Sequence, residues 1–487
     1  MNVLFVTLDQ FRGDCTGAAG HPLVRTPTLD RLAREGARLA RHFSQSAPCA
    51  PGRAALYTGT YQMNNRVVAN GSPLEDSFDN VARLARRAGY DPTLFGYTDQ
   101  GIDPRAARGP DDPRLNYYDG VLPGFSIGLY LPDSQAGWIQ DLRSRGYDVA
   151  SGWAEALRGE PARPAELSLG SFLTNRFLAW LEDQPTGWFA HLSYLRPHPP
   201  YGAAGEFATL YDPADVSEAI APVEKERQHP LHRAALTWRQ SAAPRDERAL
   251  RALRAQYLGM ISEVDAQLGR VVEAIEKRRE WGDTLVVVTS DHGEQLGDHG
   301  LVEKLGFFPQ SYHIVGLWRD PRLVGGVTVS QFTENVDLMP TLAQALGLAV
   351  PTQCDGLCLT PLLEGRDGPW RSAAHYEWDN RDHLLRGAKS AVSPDVLARR
   401  NLAVSVSESV AYVQFGDGSY RCYDLARDPT WRTECDDLEV VLRAAQEQLT
   451  WRQEHLRRGW SNSLLTLERG GQWPEDAPFA AVAAGGA

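Results

Sequence analysis

The sequence has few cysteines, no long apolar run and no excess of basic residues. Six cysteines among 487 residues are too few and too scattered for the disulfide framework of a small secreted protein. No apolar stretch reaches the ~20 residues that a helix needs to cross a bilayer. The formal net charge of −12 argues against the basic face of a nucleic-acid-binding protein. The chain also begins without the basic and apolar segments of a secretory signal, so we expect a cytoplasmic protein with no membrane and no nucleic-acid partner.

Short apolar runs alternate with helical patterns over most of the chain. Residues 3–8, 92–97, 188–194 and 284–290 have the continuous apolar and β-branched character of strands that are buried on both faces. Helical spacing appears between such runs, most clearly over residues 246–277, where one stripe is apolar. This alternation predicts an α/β fold with a large mixed, mostly parallel sheet flanked by helices.

The pattern changes in the last quarter of the chain. Residues 403–406 and 411–415 alternate apolar and polar positions as half-buried strands do, and helical spacing follows over 437–458. We therefore predict a catalytic α/β domain over residues 1–355, a smaller C-terminal α+β domain with antiparallel strands and a terminal helix over 356–478, and a flexible tail over 479–487.

Polar side chains follow three of the predicted strands, at the point where each apolar run stops. Asp9 and Gln10 follow the first strand, Asp291 and His292 follow a later one, and His198 lies in an Arg-Pro-His-Pro-Pro loop after a third. In open α/β sheets the carboxyl ends of parallel strands form the ligand site. Two carboxylates and one imidazole suit a divalent ion such as Mn²⁺ or Ca²⁺, and the nitrogen ligand favours Mn²⁺. The sequence therefore predicts one divalent metal ion held by Asp9, Asp291 and His292.

A short motif near the N-terminus adds a resemblance to a known family. The segment Cys49-Ala50-Pro51-Gly52-Arg53 has the form C-x-P-x-R, which resembles the signature of the type I sulfatases within the alkaline phosphatase superfamily. The chain is most similar to the phosphonate monoester hydrolase and arylsulfatase branch, which implies an alkaline phosphatase/sulfatase-like fold. Further residues that match in order and spacing are Asp9-Gln10, Asn70, Thr98, the Arg196–Pro200 loop, Asp291-His292-Gly293, Gly297-Asp298-His299-Gly300 and Lys304.

The resemblance implies that Cys49 does not act as a thiol. In that family a formylglycine-generating enzyme oxidises the cysteine to formylglycine, an aldehyde whose hydrate is the nucleophile. A metal ion acidifies one hydroxyl of the hydrate, cations balance charge on the ester oxygens, and a general acid protonates the leaving group. The resemblance assigns catalysis to Cys49, Arg53, His198 (the general acid) and Lys304, substrate binding to Asn70 and Thr98, and metal binding to Asp9, Gln10, Cys49, Asp291 and His292.

Two positions depart from the usual family pattern. Many sulfatases have a second aspartate where this chain has Gln10, so the metal site here carries less negative charge and the choice between Mn²⁺ and Ca²⁺ stays open. Gly52 stands where many relatives have serine or alanine, and we expect Cys49 to be modified nonetheless. The other five cysteines are predicted to be structural.

Together these features predict a metal-dependent hydrolase of sulfate esters, of the arylsulfatase type, that also acts on phosphonate monoesters and phosphodiesters. The expected partners are a small anionic ester substrate, the formylglycine-generating enzyme and further copies of the chain in a dimer or tetramer. One alternative is a two-metal phosphatase or phosphomutase, but the sequence shows no second Asp and His cluster at suitable spacing. Another is a catalytically silent binding relative, against which the presence of Cys49, Asp291 and Lys304 argues.

Overall fold

A large β-sheet lies at the centre of the computed structural model, which describes residues 1–456 except positions 118, 150–151, 367, 383–384 and 386–391. The strands of this sheet, in chain order, are β1 (Asn2–Leu8), β2 (Ala37–Phe43), β4 (Pro92–Gly96), β5 (Ser126–Tyr130), β6 (Phe189–Tyr194), β7 (Thr284–Thr289), β8 (Gly316–Arg319) and β9 (Val327–Glu334). Their spatial order is β5-β4-β6-β1-β7-β8-β2-β9.

The strand directions confirm the predicted mixed, mostly parallel sheet. β1 pairs in parallel with β6 on one side and β7 on the other, and β8 is antiparallel to both of its neighbours. All residues of β1, β6 and β7 are buried, as expected for continuous apolar strands covered by helices on both faces. The sequence pattern does not predict β2 or β9, because these strands mix charged or polar residues with apolar ones at the far edge of the sheet.

Helices cover both faces of this sheet and occupy its connections. The longest, α9, follows Asp246, whose side chain accepts a hydrogen bond from the Ala249 N–H and so begins the helix. The helices are α1 (Pro27–Glu35), α2 (Cys49–Thr58), α3 (Gln62–Asn65), α4 (Val81–Arg87), α5 (Ala136–Ser144), α6 (Trp153–Arg158), α7 (Leu169–Glu182), α8 (Pro230–Ala235), α9 (Glu247–Lys277), α10 (Leu338–Ala345), α11 (Thr360–Leu363), α12 (Pro394–Ala398) and α13 (Leu438–Glu454).

A second, smaller sheet is formed mainly by the C-terminal part of the chain. Its strands are β3 (Ser46–Ala47), β10 (Ala374–Asp379), β11 (Asn401–Val406), β12 (Val410–Phe415) and β13 (Tyr420–Asp424), in the order β13-β12-β11-β10-β3. The last four strands pair antiparallel, and β3 adds to β10 in parallel. Because β3 directly precedes α2, this sheet supports the segment that carries Cys49.

The predicted domain boundaries stay a prediction, and the predicted tail over 479–487 lies outside the described residues. No helix among the described residues is both long enough and apolar enough to span a membrane.

The parallel strands at the centre bring three loops to one edge of the large sheet. Leu8 of β1 pairs with Tyr194 of β6, and Thr7 pairs with Thr289 of β7, so the three strands end at the same level. The residues that follow these strands therefore share the edge at which α/β proteins bind ligands.

Candidate active site

Four metal-binding side chains meet at this edge. Ligand atoms of Asp9, Cys49, Asp291 and His292 all lie within 4.8 Å of one another, and all four residues are buried. His292 Nε2 is 3.3 Å from Cys49 Sγ, 3.9 Å from Asp9 Oδ1 and 3.8 Å from Asp291 Oδ2. Asp9 Oδ1 has no hydrogen-bond partner among the described residues. A buried carboxylate oxygen without a donor is costly, so a bound cation fits this position.

Arg53 lies behind this group and is fully buried. Its guanidinium donates to Asp9 Oδ2 at 3.1 Å and to Asp291 Oδ2 at 2.9 Å. It also donates to Ser193 Oγ at 2.8 Å and packs 4.2 Å above the ring of Tyr97. Through these contacts Arg53 compensates the negative charge of Asp9 and Asp291 and fixes the positions of their carboxylates.

Three carboxyl groups lie around the single guanidinium of Arg53. Besides Asp9 and Asp291, the carboxylate of Asp99 lies 3.6 Å from Arg53 Nε. Burial and the charge of Asp9 raise the pKa of Asp291 to about 7. Burial, opposed by Arg53 but reinforced by the two other carboxylates, raises the pKa of Asp99 to about 8. A divalent cation would lower these pKa values by favouring the ionised carboxylates, so the electrostatics also fit a metal.

The start of α2 is fixed by two side-chain amides and by a close backbone contact. Asn70 Oδ1 accepts a hydrogen bond from the Ala50 N–H at 3.0 Å, and Gln100 Nε2 donates to the Ala50 carbonyl at 3.0 Å. Gly52 lies directly against the Asp291 backbone, where an added Cβ would conflict with the Asp291 carbonyl oxygen. The glycine therefore lets the helix approach the end of β7 closely.

The buried Lys304 and the half-buried His198 form a pair beside the metal-binding group. Lys304 Nζ donates to Gln10 Oε1 at 2.9 Å and lies 2.8 Å from His198 Nε2. His198 Nδ1 lies 2.7 Å from the Pro199 carbonyl oxygen. An ammonium can only donate, so His198 accepts at Nε2 and carries its hydrogen on Nδ1. Burial and the Lys304 charge lower the pKa of His198 to about 3, which keeps the imidazole neutral.

The loop that carries His198 is held by Arg196. Its Nη1 donates to the carbonyl oxygens of His198 and Pro200, both at 2.9 Å, and its Nη2 donates to Gly202 at 3.1 Å. Glu160 accepts two further bonds from the same guanidinium. Arg196 thereby fixes the path of the loop and the place of its imidazole.

The structure thus brings together nine of the ten predicted site residues through the contacts given above. The tenth, Thr98, has its hydroxyl engaged within its own loop, donating to the Gly120 carbonyl at 2.8 Å and accepting from the Leu122 N–H at 2.8 Å. Its role in substrate binding stays a prediction.

Sequence reasoning missed several residues of the site. Tyr97 donates from its hydroxyl to Asp9 Oδ2 at 2.6 Å, and Asp99 and Ser193 contact Arg53. Tyr97 and Ser193 lie at or next to the ends of the predicted strands at 92–97 and 188–194. Their position at the edge where these strands end could have marked them as site residues.

Comparison with known proteins agrees with this geometry. The family model described as Sulfatase matches residues 1–348. The chain belongs to the sulfatase family. The multifunctional alkaline phosphatase superfamily protein PehA of Trinickia caryophylli is 35% identical over 500 residues, which cover 94% of this chain and 96% of the relative. A choline-sulfatase of Rhizobium meliloti is 27% identical over 75% of this chain and 72% of its own length.

A solved structure is also closely similar to this sulfatase-family chain. The phosphonate monoester hydrolase of Agrobacterium radiobacter superposes with a TM-score of 0.89 at 39% identity, covering 97% of this chain and 100% of that one. The predicted family and the predicted alkaline phosphatase/sulfatase-like fold are therefore confirmed.

Replacing Asp291 by asparagine should remove the bound metal. The change takes away an anionic ligand and one of the two carboxylates that hold Arg53. Metal analysis of dialysed protein should find one divalent ion per chain in the parent and a large loss in Asp291→Asn. Asp99→Asn is the control, because Asp99 contacts Arg53 but lies outside the ligand group, and it should keep the ion. Two ions per parent chain would instead favour a two-metal site.

Replacing Gly52 by alanine should destabilise the site. The new Cβ would press on the Asp291 carbonyl and lie 2.9 Å from the Ser46 carbonyl oxygen, and such overpacking costs about 1–3 kcal/mol. Thermal unfolding should show a lower Tm, and metal content should fall. Gly137→Ala in α5 is a matched control, since its Cβ would meet only Phe172 atoms at 3.9 and 4.0 Å. Equal Tm values for the two variants would contradict the close approach of α2 to β7.

Proposed function

We propose that this chain is a metal-dependent hydrolase of phosphonate monoesters, phosphodiesters and sulfate esters, in which Cys49 acts after conversion to formylglycine. The observation that carries the proposal is the position of Cys49 Sγ within the group of metal-binding atoms. Without a metal ion, burial and the charge of Asp9 raise the pKa of the Cys49 thiol. The relatives named for phosphonate monoester and sulfate ester hydrolysis support the substrate classes.

The metal would be held by Asp9, Cys49, Asp291 and His292, with Gln10 beside them, and would supply positive charge to the ester oxygens and to the nucleophile. Formylglycine at position 49 would supply a hydroxyl nucleophile that a thiol does not offer.

The other side chains of the site would bind the ester and balance its charge. Arg53 holds Asp9 and Asp291 in place and favours their ionised forms. The Lys304 ammonium is the cation available beside His198 for an anionic ester oxygen. Asn70 uses its carbonyl oxygen on Ala50, so its amide N–H groups are available as donors to the substrate.

A proton for the leaving group would come from the Lys304–His198 pair. His198 is neutral and accepts at Nε2, and the proton between the two nitrogens belongs to Lys304. Burial opposes the Lys304 ammonium, but Cys49, Glu303 and Asp9 raise its pKa. A proton therefore lies at the Nζ–Nε2 contact. As negative charge builds on the leaving oxygen, this proton would pass to that oxygen through His198 Nε2, which acts as the general acid, and Lys304 would be left as a neutral amine.

The same group of residues weighs against the alternatives. Among the described residues, one set of at least three metal-binding side chains comes together, whereas a two-metal phosphatase needs two. A silent binding relative would have no use for a hydrogen-bonded Lys304–His198 pair beside such a set. We also propose that maturation uses a formylglycine-generating enzyme and that the chain assembles into a dimer or tetramer, which light scattering of the purified protein would measure.

Peptide mass spectrometry should find Cys49 as formylglycine in protein made together with a maturation enzyme. Activity on a phosphonate monoester should rise with the modified fraction, and Cys49→Ser should lower kcat much more than it raises KM. Cys358→Ala is the control, because Cys358 lies outside the site and should leave both values near those of the parent. Full activity in protein whose Cys49 is entirely unmodified would refute the proposed nucleophile.

Loss of His198 should matter most when the leaving group is a poor anion. General acid catalysis contributes about 10²–10⁴-fold, so His198→Ala should lose that much with phenyl or alkyl esters and little with 4-nitrophenyl esters. Lys304→Ala should show the same selectivity, and the double variant should be less damaged than the product of the two losses, because the residues share one proton. Equal losses across the series of leaving groups would show that His198 orders the loop without transferring a proton.

A further inference from the structure

Gln10 is held in an unusual way at the edge of the site. It has a φ of 67° and is fully buried, although residues other than glycine rarely adopt this left-handed conformation. Its backbone N–H donates to Asp291 Oδ1 at 3.1 Å, and its carbonyl accepts from the Tyr257 hydroxyl at 2.7 Å. Its side-chain amide donates from Nε2 to Glu294 Oε2 and accepts at Oε1 from Lys304 Nζ.

Glu294 can only accept hydrogen bonds at this place. Its Oε1 accepts from the N–H groups of Leu296 and Glu303, both at 2.7 Å, and its Oε2 accepts from the Tyr201 hydroxyl at 2.9 Å and from Gln10. The carboxylate is fully buried and each oxygen has two donors. Burial raises the pKa of Glu294, and the four donors oppose this by favouring the ionised form. With both oxygens occupied, Glu294 has no role as a direct ligand of substrate.

Glu294 and Lys304 together determine which way the Gln10 amide points. The carboxylate accepts and does not donate, whereas the ammonium donates and does not accept. A flipped amide would place its oxygen against Glu294 and its N–H groups against Lys304, and both contacts would be repulsive. Only the observed orientation presents an oxygen to Lys304, which in turn lies against His198.

We propose that Glu294 is a positioning residue that orients the Gln10 amide and, through it, fixes Lys304 beside His198 and an amide oxygen beside the cation site. The proposal also gives a physical reason for glutamine at position 10. A carboxylate at that position would meet the buried carboxylate of Glu294, and two buried like charges in contact are strongly unfavourable.

The test exchanges the two side chains. In Glu294→Gln alone, the new amide must turn its oxygen toward the Leu296 and Glu303 N–H groups, so its NH₂ faces the NH₂ of Gln10. In Gln10→Glu alone, two carboxylates meet. In the double variant Gln10→Glu/Glu294→Gln, the hydrogen bonds that join positions 294, 10 and 304 can form again, while the Tyr201 hydroxyl changes from donor to acceptor toward the new amide. The amide now at position 294 donates to the carboxylate now at position 10, whose other oxygen accepts from Lys304.

The first readout is Mn²⁺ affinity, measured by titration calorimetry on metal-depleted protein. Each single variant should bind Mn²⁺ about 10–100-fold more weakly, the usual effect of changing a residue behind a ligand. The double variant should recover most of the lost Mn²⁺ affinity and most of the decrease in Tm that the single variants show. Tyr201→Phe is the matched control, because it removes one donor to Glu294 and leaves the carboxylate facing Gln10; it should weaken binding only slightly.

The second readout rests on the proposed function: the single variants should lose activity on phenyl esters more than on 4-nitrophenyl esters, and the double variant should regain the parent ratio. If Glu294→Gln matches the parent in affinity and in this ratio, the proposal is wrong. It is equally wrong if the double variant binds Mn²⁺ no better than the weaker single variant, or if its Tm is as low as the Tm values of the single variants. If the parent hydrolyses none of these esters, the proposed function fails, while affinity and Tm still decide the role of Glu294.

Discussion

The guanidinium of Arg53 connects three strands of the large sheet, because it binds Asp9 after β1, Asp291 after β7 and Ser193 within β6. Arg53 lies in α2, one turn after Cys49, so these contacts also fix the start of that helix. Removing one partner of a buried ion pair typically costs about 3–5 kcal/mol, because the other charge is left without compensation. The position of Cys49 against the metal-binding residues therefore depends on this side chain more than on any single ligand.

The charges around Arg53 explain much of the remaining site. One guanidinium faces three buried carboxyl groups, Asp9, Asp99 and Asp291, and burial with mutual repulsion raises the pKa of the last two. A divalent cation at this place would favour the ionised form of all three. A further carboxylate at position 10 would add another buried negative charge to this group. The chain instead has a neutral amide there, and it keeps the negative charge at Glu294, where four hydrogen-bond donors stabilise it.

Regions outside the central strands hold the loop of His198 and the start of helix α2 in place. The loop of His198 is tied by Arg196 to Glu160, which lies in the long segment before α7. The second sheet contributes through β3, which pairs with β10 immediately before α2 begins. The start of α2 thus depends on both sheets. The hydrolytic site therefore needs the C-terminal part of the chain, although that part supplies none of the ten predicted site residues.

The sequence by itself determined the α/β class, the central strands and the residues that follow them, because a strand buried on both faces needs a continuous apolar run and parallel strands end at one edge. The C-x-P-x-R motif and its spaced companions determined the family and named ten candidate site residues, nine of which the structure brings together. Only the tertiary structure decided what each polar group binds. It buried Arg53 behind the carboxylates, engaged the Thr98 hydroxyl in its own loop, placed the shared proton on Lys304, and brought Glu294 to Gln10 across 284 positions of chain. Hydrogen-bond partners so distant leave no periodic signal in the sequence, since they depend on how the strands are ordered in space.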